Sequence, residues 1–159
     1  MTPLRVVAPS LLLALAATVA HASGDHGPHA HAATARQPWG VPADASRATR
    51  TIEIAAGDDM RFQPSSIQVR RGETVRFVLH NTGKLAHEWV LGSGESLEAH
   101  AKAMREQPAM AHDEPGTVQV APGATATLAW TFDRTGRFGF ACLLPGHLEA
   151  GMKGAIVVR

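Results

Sequence analysis

The chain has a single cysteine, Cys142, and therefore no partner for an internal disulfide. In an exported protein an unpaired thiol is open to oxidation or to coupling between molecules, so it calls for burial or a bound metal. An apolar run long enough to favour a membrane span is also missing: Val6 to Val19 falls short of the roughly 20 residues that a helix needs to cross a bilayer. There is no excess of one charge sign, with 15 Lys and Arg against 14 Asp and Glu, and nothing in that balance points to nucleic acid. No internal repeat is evident. A Cys142/His87 hydrolase lacks an evident third member and an oxyanion motif, which leaves that class without support.

The first residues read as an address. Arg5 provides a positive start, Val6 to Val19 are almost wholly apolar, and Ala20-His21-Ala22 is a small-x-small cleavage signal. Residues 1–22 are thus expected to be a secretory signal cut after Ala22, with the mature chain in a bacterial periplasm and not inserted stably in a membrane. Residues 23–49 are rich in Ala, Gly, Pro and His without apolar periodicity, and are expected to form a flexible arm.

Residues 50–159 read as one domain. Thr51 to Ile54, Ser66 to Val69, Thr74 to His80, Thr125 to Phe132, Phe138 to Phe140 and Ala155 to Val158 are short alternating segments divided by Gly and Pro turns. In Thr74 to His80, for example, Val75, Phe77 and Leu79 share one face. Such a series predicts an all-β, antiparallel Greek-key sandwich. The exception is Glu95 to Glu106, rich in Ala, Leu, Lys and Glu, which predicts a short helical insertion that stops before Pro108.

Near the end of the chain, Cys142, His147 and Met152 follow one another at five-residue spacing, and His87 stands at the end of a strand-like segment upstream. Thiolate, two imidazoles and thioether form the soft donor set of a mononuclear copper electron-transfer site, with Met as weak axial donor. Pro145-Gly146 bends the loop so that Cys142 and His147 can converge. Two bridging cysteines are excluded by the single Cys142.

Asp59-Met-Arg-Phe-Gln-Pro64, Gly72-Glu-Thr-Val-Arg-Phe77, Asn81-Thr-Gly-Lys-Leu-Ala-His87 and the Cys142/His147/Met152 loop together resemble the cupredoxins. Within them, the chain is most similar to the exported copper-tolerance proteins of the CopI type, over essentially all of residues 50–159. The resemblance implies His87, Cys142 and His147 as equatorial copper ligands and Met152 as the axial one. It implies a role in copper tolerance by binding or oxidising periplasmic copper, with no catalytic residue. A one-electron carrier to a cytochrome or terminal oxidase is the alternative, and a redox protein such as a cytochrome is the partner it would share.

Several cupredoxins have a neutral amide after the upstream histidine, whereas this chain has Glu88, read here as a surface acid. Trp89 and Trp130 read as core, Met60 as core or a strand-end contact, and His80 as a surface or hydrogen-bonded histidine. Leu143, Leu144 and Leu148 are expected to form an apolar docking rim around His147. Additional copper donors are expected from His26, His29 and His31 on the arm and from His100, Met104, Met110 and His112 in the insertion. Packing of Met104 with Leu97 and Ala101 is the competing reading.

Overall fold

The computed structural model describes residues 36–107 and 114–159. Apolar alternation sorts the chain into two five-stranded sheets packed face to face. The first has the order β1 (Val41–Pro42), β8 (Thr125–Thr131), β5 (Thr74–Asn81), β2 (Arg50–Gly57) and β3 (Arg61–Gln63). The second has the order β4 (Ser66–Val69), β10 (Lys153–Val158), β9 (Gly136–Ala141), β6 (His87–Gly92) and β7 (Thr117–Val120).

Val75, Phe77 and Leu79 of β5 point inward and are wholly buried, as the alternation predicts. They meet Trp89 and Phe140 from across the sandwich, and Phe62 of β3 joins them from their own sheet. The Trp89 and Phe140 rings stack with centroids 3.8 Å apart, and Phe62 packs edge-on against both. Each such ring removes roughly 150–250 Å² from water, so this cluster dominates the core. Trp130 is also buried and donates its indole N–H to the Trp39 carbonyl at 3.1 Å. Both tryptophans thus serve packing.

Two features depart from the sequence reading. The sandwich is not wholly antiparallel: β2 runs parallel to β5, and β4 parallel to β10. The cause is connectivity, because the chain leaves the first sheet after β3, crosses to the second as β4, and returns to enter β5 in the direction of β2. The second departure concerns the expected arm, whose last part belongs to the sandwich. β1 pairs with β8, and Trp39 is 7 % exposed. A single large ring beside a turn has no periodicity for a sequence to display, yet it buries enough apolar surface to hold that segment down. His26, His29 and His31 lie outside the described residues.

The insertion forms helix α1 (Gly94–Glu106). Ser93 caps it, accepting from the Ser96 N–H while the Ser96 side chain accepts from the Ser93 N–H. Leu97, Ala101 and Met104 fall on one stripe and pack on Val90 of β6, Ala141 of β9 and Leu143 beyond it, making a second, smaller core. The helix therefore covers the outer face of the second sheet. Among the described residues no helix is long and apolar enough to cross a membrane.

Candidate metal centre

Strands β10, β9 and β6 are neighbours, and their register brings four sequence-predicted donors to one end of the sandwich. His87 opens β6, Cys142 follows β9, Met152 precedes β10, and His147 sits in the loop between the last two. The donor atoms of His87, Cys142 and His147 all lie within 4.8 Å of one another. Cys142 Sγ is 3.2 Å from His147 Nδ1, which is 3.4 Å from His87 Nδ1. Met152 is fully buried in the same cluster as Cys142. Three donor atoms that face one another at this spacing can all bind a single cation. Sulfur, two imidazole nitrogens and a nearby thioether fit copper.

Short-range bonds shape the loop. The His147 N–H donates to the Leu144 carbonyl, the Met152 N–H to the His147 carbonyl and the Cys142 N–H to the Met152 carbonyl, each at 3.0 Å. Gly146, at φ +87°, takes the left-handed turn just before His147, a conformation costly for any residue with a side chain. Arg61 of β3 fastens the loop from the other sheet, its Nη1 donating to the Ala150 carbonyl at 2.8 Å and to the Met60 carbonyl at 2.7 Å.

A separate turn presents His87. Buried Asn81 donates to the carbonyls of Leu85 at 2.7 Å and Val120 at 3.0 Å, and accepts from the Gly83 N–H at 2.9 Å. Asp58 accepts from the N–H groups of Lys84 and Leu85, and these bonds hold its carboxyl below the usual range. Its Oδ1 lies so close to Gly83 that a β-carbon there would overlap it. The same oxygen is 3.9 Å from His87 Nε2, on the side of the ring away from Cys142 and His147. Asp58, Arg61 and Asn81 were missed by the sequence reading. The Asn81-Thr-Gly83 turn was a signal for Asn81, but nothing local marks Asp58 or Arg61.

The electrostatics keep the donors in different states without metal. Burial lowers the pKa of His87, and the nearby His147 lowers it further, so the ring is held neutral, the form that ligates metal. Burial pushes the Cys142 thiol up to about 11, against the pull of the Glu88 backbone N–H, which donates to Sγ at 3.4 Å. Such a thiol stays protonated at neutral pH unless a cation takes the thiolate.

Glu88 is not a surface acid. It is 0 % exposed, and its Oε1 accepts from the Leu143 N–H at 3.0 Å. The β6 alternation puts His87, Trp89 and Leu91 inward and Glu88 outward with Val90. That outward face is the one α1 covers, which local periodicity cannot reveal. The docking rim is corrected for the same reason: Leu143 is 3 % exposed beneath the helix, and Leu144 and Leu148 are half-buried against it. Leu85, 47 % exposed, is the exposed large apolar residue among those described.

His80 is hydrogen-bonded at the surface, with Nε2 2.6 Å from Glu53 and Nδ1 3.0 Å from Thr125. Met60 is partly buried against the core at the turn into β3. Of the expected additional donors, Met104 is 2 % exposed within the second core, and His100 Nδ1 lies 3.2 Å from Glu114. Met110 and His112 lie outside the described residues.

Comparison with known proteins agrees with this architecture. Residues 48–159 match the model of the copper-binding plastocyanin/azurin family. The chain is 52 % identical to the copper-resistant cuproprotein CopI of Rubrivivax gelatinosus over 98 % of both chains. It is 38 % identical to the CopI of Pseudomonas aeruginosa, over 100 % of this chain and 99 % of that one. The chain is a CopI-type cupredoxin. Copper is accordingly its metal. This cupredoxin also superposes on the reduced auracyanin of Roseiflexus castenholzii with a TM-score of 0.61 and 25 % identity, over 70 % of this chain and 98 % of that one.

Proposed function

We propose that His87, Cys142, His147 and Met152 hold one type 1 copper, and that the protein works in the periplasm in copper tolerance, by binding copper or oxidising it. The observation that carries this reading is the convergence of the three strong donor atoms within 4.8 Å at one end of a rigid sandwich. Likeness to proteins named copper-resistant over nearly their whole length supports the tolerance role. The leader-like residues 1–22 support export.

Copper, when bound, supplies a reversible one-electron couple. The chain's own residues hold a fixed donor set around it. Cys142 offers the thiolate, His87 and His147 offer neutral nitrogens, and Met152 offers a weak thioether. Because Asn81, Arg61 and the loop bonds fix both halves of the site from outside, the donors need little movement between the two copper states. His87, Cys142 and Met152 are buried, while His147 keeps an exposed edge through which a redox protein such as a cytochrome can approach.

The test is a copper titration with a visible spectrum. One equivalent should give an intense sulfur-to-copper absorption, and Cys142→Ser should remove it while the sandwich still folds on its own aromatic core. Intense colour surviving in that variant would overturn the assignment of Cys142.

A further inference from the structure

At the end of the sandwich away from Cys142, the two sheets part around an open cleft of about 860 Å³, whose walls include Arg50, Gln68, Arg70, Arg71, Glu73 and Arg159. The strands place these residues there. β2 begins at Arg50, β4 ends just before Arg70, β5 begins just after Glu73, and β10 ends just before Arg159. From the cleft, β2 and β5 run toward Asp58 and the Asn81 turn, while β10 arrives from Met152. A strand of 8 residues such as β5 rises roughly 25 Å, so the cleft is remote from the donor cluster.

Backbone bonds tie its floor together. The Arg71 N–H donates to the Arg159 carbonyl at 2.7 Å, and the Arg159 N–H donates to the Val69 carbonyl at 3.0 Å. One guanidinium is held ready: Arg50 Nε lies 3.0 Å from Glu73 Oε1, and Arg50 Nη2 donates to the Gln68 carbonyl at 2.7 Å. The other Glu73 oxygen accepts from the Arg70 backbone N–H at 2.8 Å, so both oxygens of this acid are engaged. The exposed guanidinium groups of Arg70, Arg71 and Arg159 have no hydrogen-bond or ion-pair partner among the described residues.

Even with the Glu73 carboxylate and the main-chain carboxylate of Arg159 set against them, four guanidinium groups leave the cleft positive. Like charges gathered this way repel unless an anion stands between them. The chain's lysines are elsewhere: Lys84 beside the His87 turn, Lys102 on α1 and Lys153 beside Met152. The cleft therefore collects planar forks of N–H donors, the geometry that fits an oxyanion. A carboxylate has two oxygens in one plane and suits one fork, whereas a phosphate group offers three oxygens and nearly two charges to several. We infer that this cleft is a binding site for a phosphate-bearing anion, with Arg50 preset by Glu73 and with Arg70, Arg71 and Arg159 supplying their forks to its oxygens. The site is independent of the copper reading.

Inorganic phosphate and phosphatidylglycerol vesicles are the probes, added to copper-loaded mature protein, with sodium chloride of equal ionic strength and phosphatidylcholine vesicles as blanks. Binding of phosphate identifies a soluble ligand, and binding of the vesicles alone identifies a lipid headgroup. Arg71→Gln combined with Arg159→Gln should lower the affinity at least about tenfold, since charge-assisted bonds are lost. Lys102→Gln combined with Arg105→Gln removes the same charge from α1 and should leave the affinity near that of the parent. A parent that binds neither probe, a cleft variant that binds as the parent does, or an equal loss in the α1 variant would each overturn the inference. Should the cleft variant fail to fold by circular dichroism, amide NMR of the parent with reduced copper gives the answer. Phosphate, or short-chain phosphatidylglycerol below its micelle concentration, should shift Arg71, Gly72 and Arg159 and leave α1 in place; no shift at the cleft overturns the inference.

Discussion

Cys142 shows how one residue can be inert and reactive in turn. In the metal-free protein its thiol is buried and pushed up to about 11 from an ordinary 9.0. Between those two values the unfolded chain has given up a proton that the folded chain still holds. Metal-free stability should therefore fall as pH rises through that window, with no contribution from this group below it. Alkylation of folded metal-free protein by iodoacetamide should be very slow at about pH 8 and climb toward about pH 11, while copper should suppress it throughout. Rapid, complete modification at about pH 8 without unfolding would show that Cys142 is not held as described.

At the scale of elements, α1 decides more than its length suggests. It hides Glu88's side of β6, buries Leu143, and makes Met104 a core residue. Met104→Ala should cost about 2–5 kcal/mol, the usual range for truncating a buried large side chain. Because the helix packs on the outer face of the sheet and the donors converge on the inner one, the copper absorption should change little. Denaturant unfolding together with a visible spectrum checks both halves. Unchanged stability with altered copper content would instead make Met104 a donor.

At the scale of the whole molecule, a sandwich with its own aromatic core presents a donor cluster at one pole, and of the other histidines among the described residues neither His80 nor His100 belongs to it. If the surplus donors serve tolerance, replacing His26, His29, His31, His100, Met110 and His112 together should lower total copper bound and the copper survival of an expressing cell. Spectrum and potential should stay near those of the parent, since the proposed type 1 site draws its donors from His87, Cys142, His147 and Met152 and not from these six. Parent-level stoichiometry and survival would favour the electron-carrier reading. Met104 is left out because its loss would confound copper capture with packing.

Alternation along β5 and β8, the caps and composition of α1, and the Cys142/His147/Met152 spacing were legible because each is a local pattern: one strand face, one helix stripe, one loop. The sequence by itself thereby determined the fold class and which soft donors stand close along the chain. It was silent on Trp39, whose burial depends on β8 across the sheet, and on Asp58 and Arg61, which act on segments far along the chain. Only the tertiary structure decided that Glu88 is buried, that Leu143 is covered, and that His87 meets His147 from 60 residues away. Those outcomes depend on which strands become neighbours and which face the helix covers, and neither is written in the period of any one segment.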